Sequence, residues 1–188
     1  MPARDLPPTA QTLYAMAEIL AAQGRDAACE VVLCRCTREY PAFAPACNRL
    51  AELQMRQGRI HEAMATLSAA RKIRPGDPVL ANNLGMCLLL RHEYRQALEL
   101  FASAAGTVPE NAKYRANMAT VLGLLGRQEE SDALFQQVLP PDKAQHNGQL
   151  LRQACEKAAG QTVQTPPREV VPTDSPNPFR QLPEAGRS

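Results

Sequence analysis

The chain has 188 residues, of which 45% are hydrophobic and 21% charged, a composition typical of one ordered globular domain. Only 4% of the residues are aromatic and tryptophan is absent, so we expect a core of alanine, leucine, methionine and cysteine in close-packed helices. The formal net charge is +2 and no block of lysine and arginine occurs, which argues against nucleic-acid binding.

The N-terminal region lacks the pattern of an export signal. Its apolar stretch from Leu13 to Ala22 is interrupted by Glu18, and no small-residue cleavage site follows a continuous apolar run. No stretch approaches the roughly 18 uninterrupted apolar residues that a membrane span requires. We therefore expect a cytoplasmic protein without a membrane span, whose six cysteines are reduced thiols.

The first helical unit follows a short lead-in. Residues 1–8 contain three prolines and are predicted to be a disordered N-terminus. Thr9 is suited to cap a first helix, Gly24 to end it, and a second helix continues to Tyr40. Residues 10–43 are thus predicted to form one helix-turn-helix unit.

This unit repeats along the chain with a period of 34 residues. The stretch from Asp77 to Pro109 contains a capping aspartate, a proline in the first helical turn, an internal turn and a terminating proline. Prolines recur at the same interval at Pro41, Pro75 and Pro109, and turn glycines recur at Gly24, Gly58 and Gly126, with His92 interrupting the glycine series. Further units are therefore predicted at residues 44–77, 78–111 and 112–141.

The C-terminal part departs from this period. Residues 142–159 have one apolar and one polar side but do not keep the register, and a stack of repeats needs such a polar-backed terminal helix for solubility. We predict a capping helix there, which completes a folded domain of residues 9–159. Residues 160–188 contain six prolines and few large apolar residues, so a disordered tail is expected.

The four units resemble tetratricopeptide repeats (TPR), which are 34 residues long. Members of that family have small residues at the eighth, twentieth and twenty-seventh places and a bulky one at the twenty-fourth. The eighth place here holds Ala17, Ala51, Gly85 and Ala119, and the twenty-fourth holds Leu33, Leu67, Phe101 and Phe135. The departures are the missing tryptophan and Val138 at a small-residue place. The resemblance implies an all-α, right-handed α-solenoid of about four helix-turn-helix repeats with a C-terminal capping helix.

The same resemblance implies a concave groove, lined by the first helix of each repeat, that binds an extended peptide or a partner helix. The implied groove residues are Tyr14, Glu18, Asn48, Arg49, Glu52, Asn82, Asn83, Met86, Leu90, Lys113, Asn117 and Thr120. Asn83 and Asn117 lie at the same place one repeat apart, so their amides are candidates for holding a peptide backbone without reading its sequence. The alternative is that asparagine merely tolerates a solvated face.

Some members of the family clamp the C-terminal carboxylate of a ligand with lysine, arginine and asparagine. Asn83 and Lys113 match that pattern, but Glu52 stands where a neutral donor is needed and would repel a carboxylate. We therefore reject the clamp. Met86 and Leu90 indicate instead an apolar floor that buries side chains of a partner.

The residue types of catalytic and metal sites do not form recognisable patterns. Cys29, Cys36 and Cys47 occupy places that hold small packing residues in other repeats, and their spacing is not that of structural zinc sites. The three histidines stand in no nucleophile or ligand motif, and no phosphate-binding or dinucleotide-binding loop is present. We expect no catalytic residues, no metal and no cofactor.

The predicted function is a non-enzymatic protein-interaction scaffold or adaptor, whose partner is another protein held in the groove. A weaker similarity to bacterial pilus-assembly proteins of the tight-adherence type points to pilus or secretion-system assembly. The first alternative is a secretion-type chaperone for an apolar client segment, and the second is a self-associating structural module. The sequence leaves open the partner, the oligomeric state and any ligand of the tail.

Overall fold

Residues 7–162, the part of the chain that the computed structural model describes, form nine α-helices, and side chains are described as far as Lys157. The helices are α1 (Ala10–Ala22), α2 (Asp26–Glu39), α3 (Ala44–Arg56), α4 (Ile60–Ile73), α5 (Pro78–Leu90), α6 (Tyr94–Thr107), α7 (Ala112–Leu124), α8 (Gln128–Val138) and α9 (Pro141–Thr162). Residues 1–6 and 163–188, where most of the predicted disorder falls, lie outside the described residues. Helix α9 covers the predicted capping helix and continues to Thr162.

Side-chain caps define where several first helices begin. Oxygen atoms of Thr9, Asp77 and Asn111 accept hydrogen bonds from backbone N–H groups in the first turns of α1, α5 and α7, at 3.2, 3.0 and 3.0 Å. These bonds satisfy donors that have no partner within the helix. Pro78 opens α5, where its fixed φ angle suits the first helical position.

The turn inside each repeat requires a left-handed backbone conformation. Gly24, Gly58 and Gly126 have φ angles of 69°, 75° and 81°, a region that glycine enters without steric cost. His92 takes the same conformation in the third repeat, with φ at 62°. Its Nδ1 lies 2.7 Å from the hydroxyl of Tyr94. The turn geometry is therefore kept although the glycine is missing.

Each helix packs against the next one along the chain, and α3 also contacts α5 directly. The small residues at the eighth place approach the bulky residues at the twenty-fourth, and both sets are buried. Ala17, Ala51, Leu33, Leu67 and Phe101 all have 0% exposure. The described residues contain no strand. The predicted all-α solenoid of helix pairs with a C-terminal helix is confirmed.

Helix α9 closes the C-terminal end by packing on α7 and α8. A Cβ atom at Gly123 would lie 2.7 Å from a methyl group of Leu151, so the absence of a side chain on α7 lets α9 approach closely. Arg152 donates to Asp132 on α8 at 2.6 Å. The exposed side of α9 carries Gln145, Gln149 and Gln153, together with Leu150, which is 49% exposed, so this end of the solenoid presents a mostly polar surface.

Candidate partner-binding surface

The predicted groove residues all lie on the first helices of the four repeats, α1, α3, α5 and α7, and we call the surface that they form the first-helix surface. Helix α1 carries Tyr14 and Glu18, α3 carries Asn48, Arg49 and Glu52, α5 carries Asn82, Asn83, Met86 and Leu90, and α7 carries Lys113, Asn117 and Thr120. Side-chain contacts join each of these helices to the next one of the set. The structure thus brings residues from four separated segments into one continuous surface.

Four asparagines form a hydrogen-bonded ladder across this surface. The Nδ2 of Asn117 donates to Oδ1 of Asn82 at 2.7 Å, and Asn82 in turn donates to Asn83 at 3.1 Å. Asn83 then donates to Oδ1 of Asn48 at 3.1 Å. Asn48, Asn82 and Asn83 are buried and Asn117 is half-buried. The ladder therefore ties α3, α5 and α7 together by side-chain amides alone.

The ladder follows a regular rule across repeats. Asn83 and Asn117, at the sixth place, each bond to the residue 35 positions earlier, at the fifth place of the preceding repeat. Each amide group has two N–H bonds, and the ladder uses one of them in Asn82, Asn83 and Asn117. The predicted contact of Asn83 and Asn117 with a peptide backbone stays a prediction. Because Asn83 is buried, the accessible donor is the second N–H of the half-buried Asn117.

Charged side chains form a cluster at the N-terminal part of the first-helix surface. The Nε of Arg49 lies 2.8 Å from Glu18 on α1, and its Nη1 lies 3.6 Å from Glu52 on α3. Burial disfavours the charged guanidinium, but the two carboxylates outweigh that effect and raise the pKa of Arg49. The positive charge of Arg49 is thus engaged within the protein.

Tyr14 packs beside this cluster. Its ring stands edge-on to that of Phe43, with 5.7 Å between the ring centroids. Partial burial, followed by the charge of Glu18, raises the pKa of the Tyr14 phenol, so the hydroxyl is a neutral donor at physiological pH. Tyr14 therefore borders the first-helix surface with an apolar ring and one polar atom.

The remaining predicted residues are more accessible. Leu90 is 51% exposed at the end of α5, and Met86 lies half-buried one turn before it. Lys113 is exposed at the start of α7, whereas the hydroxyl of Thr120 donates to the carbonyl of Ala116 within the same helix. The first-helix surface thus combines a buried amide ladder with an accessible apolar position at Leu90.

One exposed surface was not anticipated from the sequence. Met16 holds the seventh place of repeat one, which is a core position in later repeats, yet it is 52% exposed, and Ile19 is 60% exposed. No described helix precedes α1 to cover them. This exposure could have been predicted because repeat one is the first of the described repeats, so no preceding described helix packs on it.

The cysteines lie mostly inside the helix stack. Cys29, Cys36, Cys47 and Cys87 are buried, whereas Cys34 is exposed. No group of three or more potential metal ligands occurs among the described residues. Within that same part of the chain, no helix is both long and apolar enough to cross a membrane.

Burial of the Cys87 thiol predicts a pH dependence of stability. Burial raises its pKa to about 11, from an ordinary value of 9.0. A thiol with a raised pKa stabilises the folded state fully below pH 9, and this contribution disappears as the pH rises through 11. Between pH 8 and pH 11, we expect the free energy of unfolding to fall by about 1–2 kcal/mol more in the wild type than in the variant Cys87→Val.

Urea unfolding at a series of pH values measures this difference. Valine is a matched replacement because Val121 fills the equivalent place of repeat four without exposure. Other buried thiols and Tyr114 also have raised pKa values, so the variant retains part of the alkaline loss. Identical pH profiles for variant and wild type would refute a titration of Cys87.

Comparison with known proteins supports the assignment of the fold. Residues 32–85 match the tetratricopeptide-repeat family. A tetratricopeptide repeat protein from Parabacteroides merdae is 18% identical, with a TM-score of 0.62 over 81% of this chain and 60% of that one. This chain therefore spans less than two thirds of the length of that protein. No curated protein sequence matches the chain.

Two further solved structures have the same arrangement of helices. The MamA protein is 12% identical, with a TM-score of 0.64 over 82% of this chain and 90% of its own. YrrB, described as a TPR protein with an unusual peptide-binding site, is 16% identical, with a TM-score of 0.63 over 78% of each chain. With the sequence match over residues 32–85, these likenesses show that the chain folds as an all-α tetratricopeptide-repeat solenoid with a C-terminal helix.

Proposed function

We propose that this chain is a non-enzymatic interaction scaffold that binds a peptide or a partner helix on the first-helix surface. The observation that carries the proposal is the asparagine ladder, which links α3, α5 and α7, together with the exposed Leu90 at the end of α5. A surface organised before binding loses little entropy on association. YrrB, which shares the fold, is described as having a peptide-binding site, and this supports the same class of ligand here.

The chemistry of the surface describes the kind of partner. The spare N–H of Asn117, the half-buried member of the ladder, is suited to a carbonyl of the partner, because such a donor does not depend on the partner's sequence. Leu90 and Met86 offer an apolar contact for one or two side chains. Because Arg49 is engaged by two carboxylates, this cation offers little attraction for a free carboxylate, and Lys113 is the exposed cation of the surface. A segment with apolar anchors fits best.

A role in pilus or secretion-system assembly is part of the proposal and rests on sequence similarity alone. Under it, the partner is a folded component of an assembly. The chaperone alternative differs in the state of the partner, which is then an unfolded apolar segment. Hydrogen exchange on the isolated complex separates them, because the backbone of a folded component is protected and that of a chaperone client is not.

The variant Leu90→Glu tests the location of the site. We expect it to reduce capture of the partner from a lysate of the source cells by about tenfold or more, because it places a charge in an apolar contact. Leu90 is half exposed, so helicity and the thermal midpoint are expected to stay unchanged.

The matched control is Val31→Glu on α2, which changes a residue that is 70% exposed and belongs to none of the first helices. It is expected to capture the partner like the wild type. If both variants retain the same partners, the first-helix surface is not the binding site. Self-association is tested in parallel by sedimentation of the wild-type chain over a range of concentrations.

A further inference from the structure

The outer face of α1 corresponds to the face by which later first helices pack on the preceding repeat, and none of the described helices covers it. In repeat two, the third, seventh and tenth places are Ala46, Leu50 and Leu53. These residues share one hydrophobic cluster with the second helix of the preceding repeat, α2, and all are at least 96% buried. Repeat three uses Leu80, Leu84 and Cys87 in the same way against α4. The fold therefore places a helix over these three places wherever a repeat precedes.

In repeat one the same three places are Thr12, Met16 and Ile19. Together with Gln11, Ala15 and Gln23, they line an open depression of about 700 Å³ on the surface. Met16 and Ile19 are 52% and 60% exposed, whereas the equivalent Leu50 and Leu53 are 4% and 2% exposed. We call this the α1 face. The equivalent places of repeats two and three pack against helices, and this equivalence indicates that the α1 face is suited to a helix.

The counterparts also define the helix that fits. The second helices contribute a small residue, a bulky apolar residue four positions later and a small residue three positions after that. The three examples are Cys29, Leu33 and Cys36 in α2, Ala63, Leu67 and Ala70 in α4, and Ala97, Phe101 and Ala104 in α6. Small residues let the two helix axes approach, and the bulky residue fills the space between them.

An ion pair between Arg59 and Glu30 adds an acidic residue to this pattern. Arg59, at the sixteenth place of repeat two, pairs with Glu30 of the preceding α2, with 2.6 Å between Nη2 and Oε1. Glu30 directly follows the small residue Cys29. Arg25 holds the sixteenth place of repeat one, borders the α1 face and is exposed, and it forms no ion pair with any residue from 7 to 157. An acidic residue next to the first small residue of a bound helix would complement it.

We propose that the α1 face binds an amphipathic helix of another protein that carries a small residue followed by an acidic one, a bulky apolar residue and a second small residue at the spacing of α2. This site is separate from the first-helix surface. It makes the chain an adaptor with two binding surfaces.

The described parts of this chain do not supply such a helix to a second copy. Helix α2, which has the complete pattern, is buried against α3 within its own chain. The opposite end of the solenoid presents the glutamines of α9 and one exposed leucine, Leu150. His146 and Gln153 stand at the places where the pattern of α2 has small residues, so α9 does not carry that pattern. Another protein is therefore the occupant that the observations favour.

A synthetic peptide of α2 tests the site. The probe is a helix-stapled peptide of Asp26–Glu39 with its three cysteines replaced by alanine, titrated into the full chain by fluorescence anisotropy. We expect a dissociation constant in the roughly micromolar range, weakened about tenfold or more by Ile19→Glu in the protein or Leu33→Glu in the peptide. Arg25→Glu is expected to weaken binding about threefold to tenfold, and Glu30→Arg in the peptide to restore it.

Matched variants decide the outcome. Leu150→Glu, at an exposed leucine of α9, and Leu90→Glu, on the first-helix surface, are expected to bind the peptide like the wild type. Absence of binding up to about 1 mM, a weak affinity limit, or equal binding by Ile19→Glu, overturns the proposal. A wild-type dimer that Ile19→Glu converts to a monomer also overturns it, because the face is then a contact between two copies. A loss with Leu90→Glu alone assigns the peptide to the first-helix surface instead.

Discussion

Replacement of Asn82 by alanine is expected to lower the free energy of unfolding by about 3 kcal/mol, because it breaks the centre of a buried hydrogen-bond chain. Asn82 is 1% exposed, donates to Asn83 and accepts from Asn117. Its truncation leaves an acceptor on the buried Asn83 and a donor on the half-buried Asn117 without these partners. Urea unfolding followed by circular dichroism measures the change.

Two further variants separate the contribution of the ladder from the effect of removing any asparagine side chain. Asn147→Ala changes a half-buried asparagine on α9, outside the ladder, and is expected to cost less than about 0.5 kcal/mol. The double variant Asn82→Ala, Asn117→Ala is expected to lose about 1 kcal/mol less than the two single losses together, since the residues are hydrogen-bonded. Strict additivity would show that the bond between Asn117 and Asn82 contributes nothing.

The second large effect is expected at Gly85. A Cβ atom there would lie 2.8 Å from Cε1 and 3.0 Å from Cδ1 of Phe101, whose ring is fully buried. Alanine favours a helix by about 1 kcal/mol over glycine, but overpacking of a rigid core costs about 1–3 kcal/mol. Because the buried ring has little room to move, we expect the overpacking cost to exceed the helix gain and Gly85→Ala to destabilise the protein by up to about 2 kcal/mol in urea unfolding.

The other repeats provide the compensating change. Alanine at the eighth place is combined with leucine at the twenty-fourth in Ala17 with Leu33 and in Ala51 with Leu67. The double variant Gly85→Ala, Phe101→Leu reproduces that pair and is expected to be more stable than Gly85→Ala alone. A double variant that loses the sum of both single effects would show that the clash with Phe101 is not the cause. Repeat four accommodates alanine and phenylalanine at these two places, as Ala119 and Phe135. The prediction for Gly85 therefore rests on the short distance from its Cβ position to Phe101 and not on the pair of residue types.

The groove residues illustrate what sequence reasoning reached and what it did not. Their position on the first helices follows from the 34-residue register, because residues at equal places of a helical repeat lie on equivalent sides. The partners of the asparagines do not follow from that register. The ladder joins residues 35 positions apart, at different places of adjacent repeats, and this offset arises from how neighbouring first helices are displaced in the stack.

The exposure of Met16 shows a second limit. Apolar periodicity marks it as a core residue, and in later repeats the seventh place is indeed covered by the preceding helix. Burial, however, depends on which helix lies opposite a residue as well as on the residue itself. Repeat one has no described helix before it, so the same pattern produces an exposed face there.

The sequence by itself determined the all-α class, the period and the places of the turns, because capping residues, prolines and apolar spacing act within one helix or one turn. It also predicted that cysteines would serve as small core residues, as Cys29, Cys36 and Cys47 do. Only the tertiary structure decided which asparagines bond to one another, that Arg49 is held by two carboxylates, and that the α1 face is open. These features depend on distances between segments about one repeat apart, and such distances are set when the helices stack.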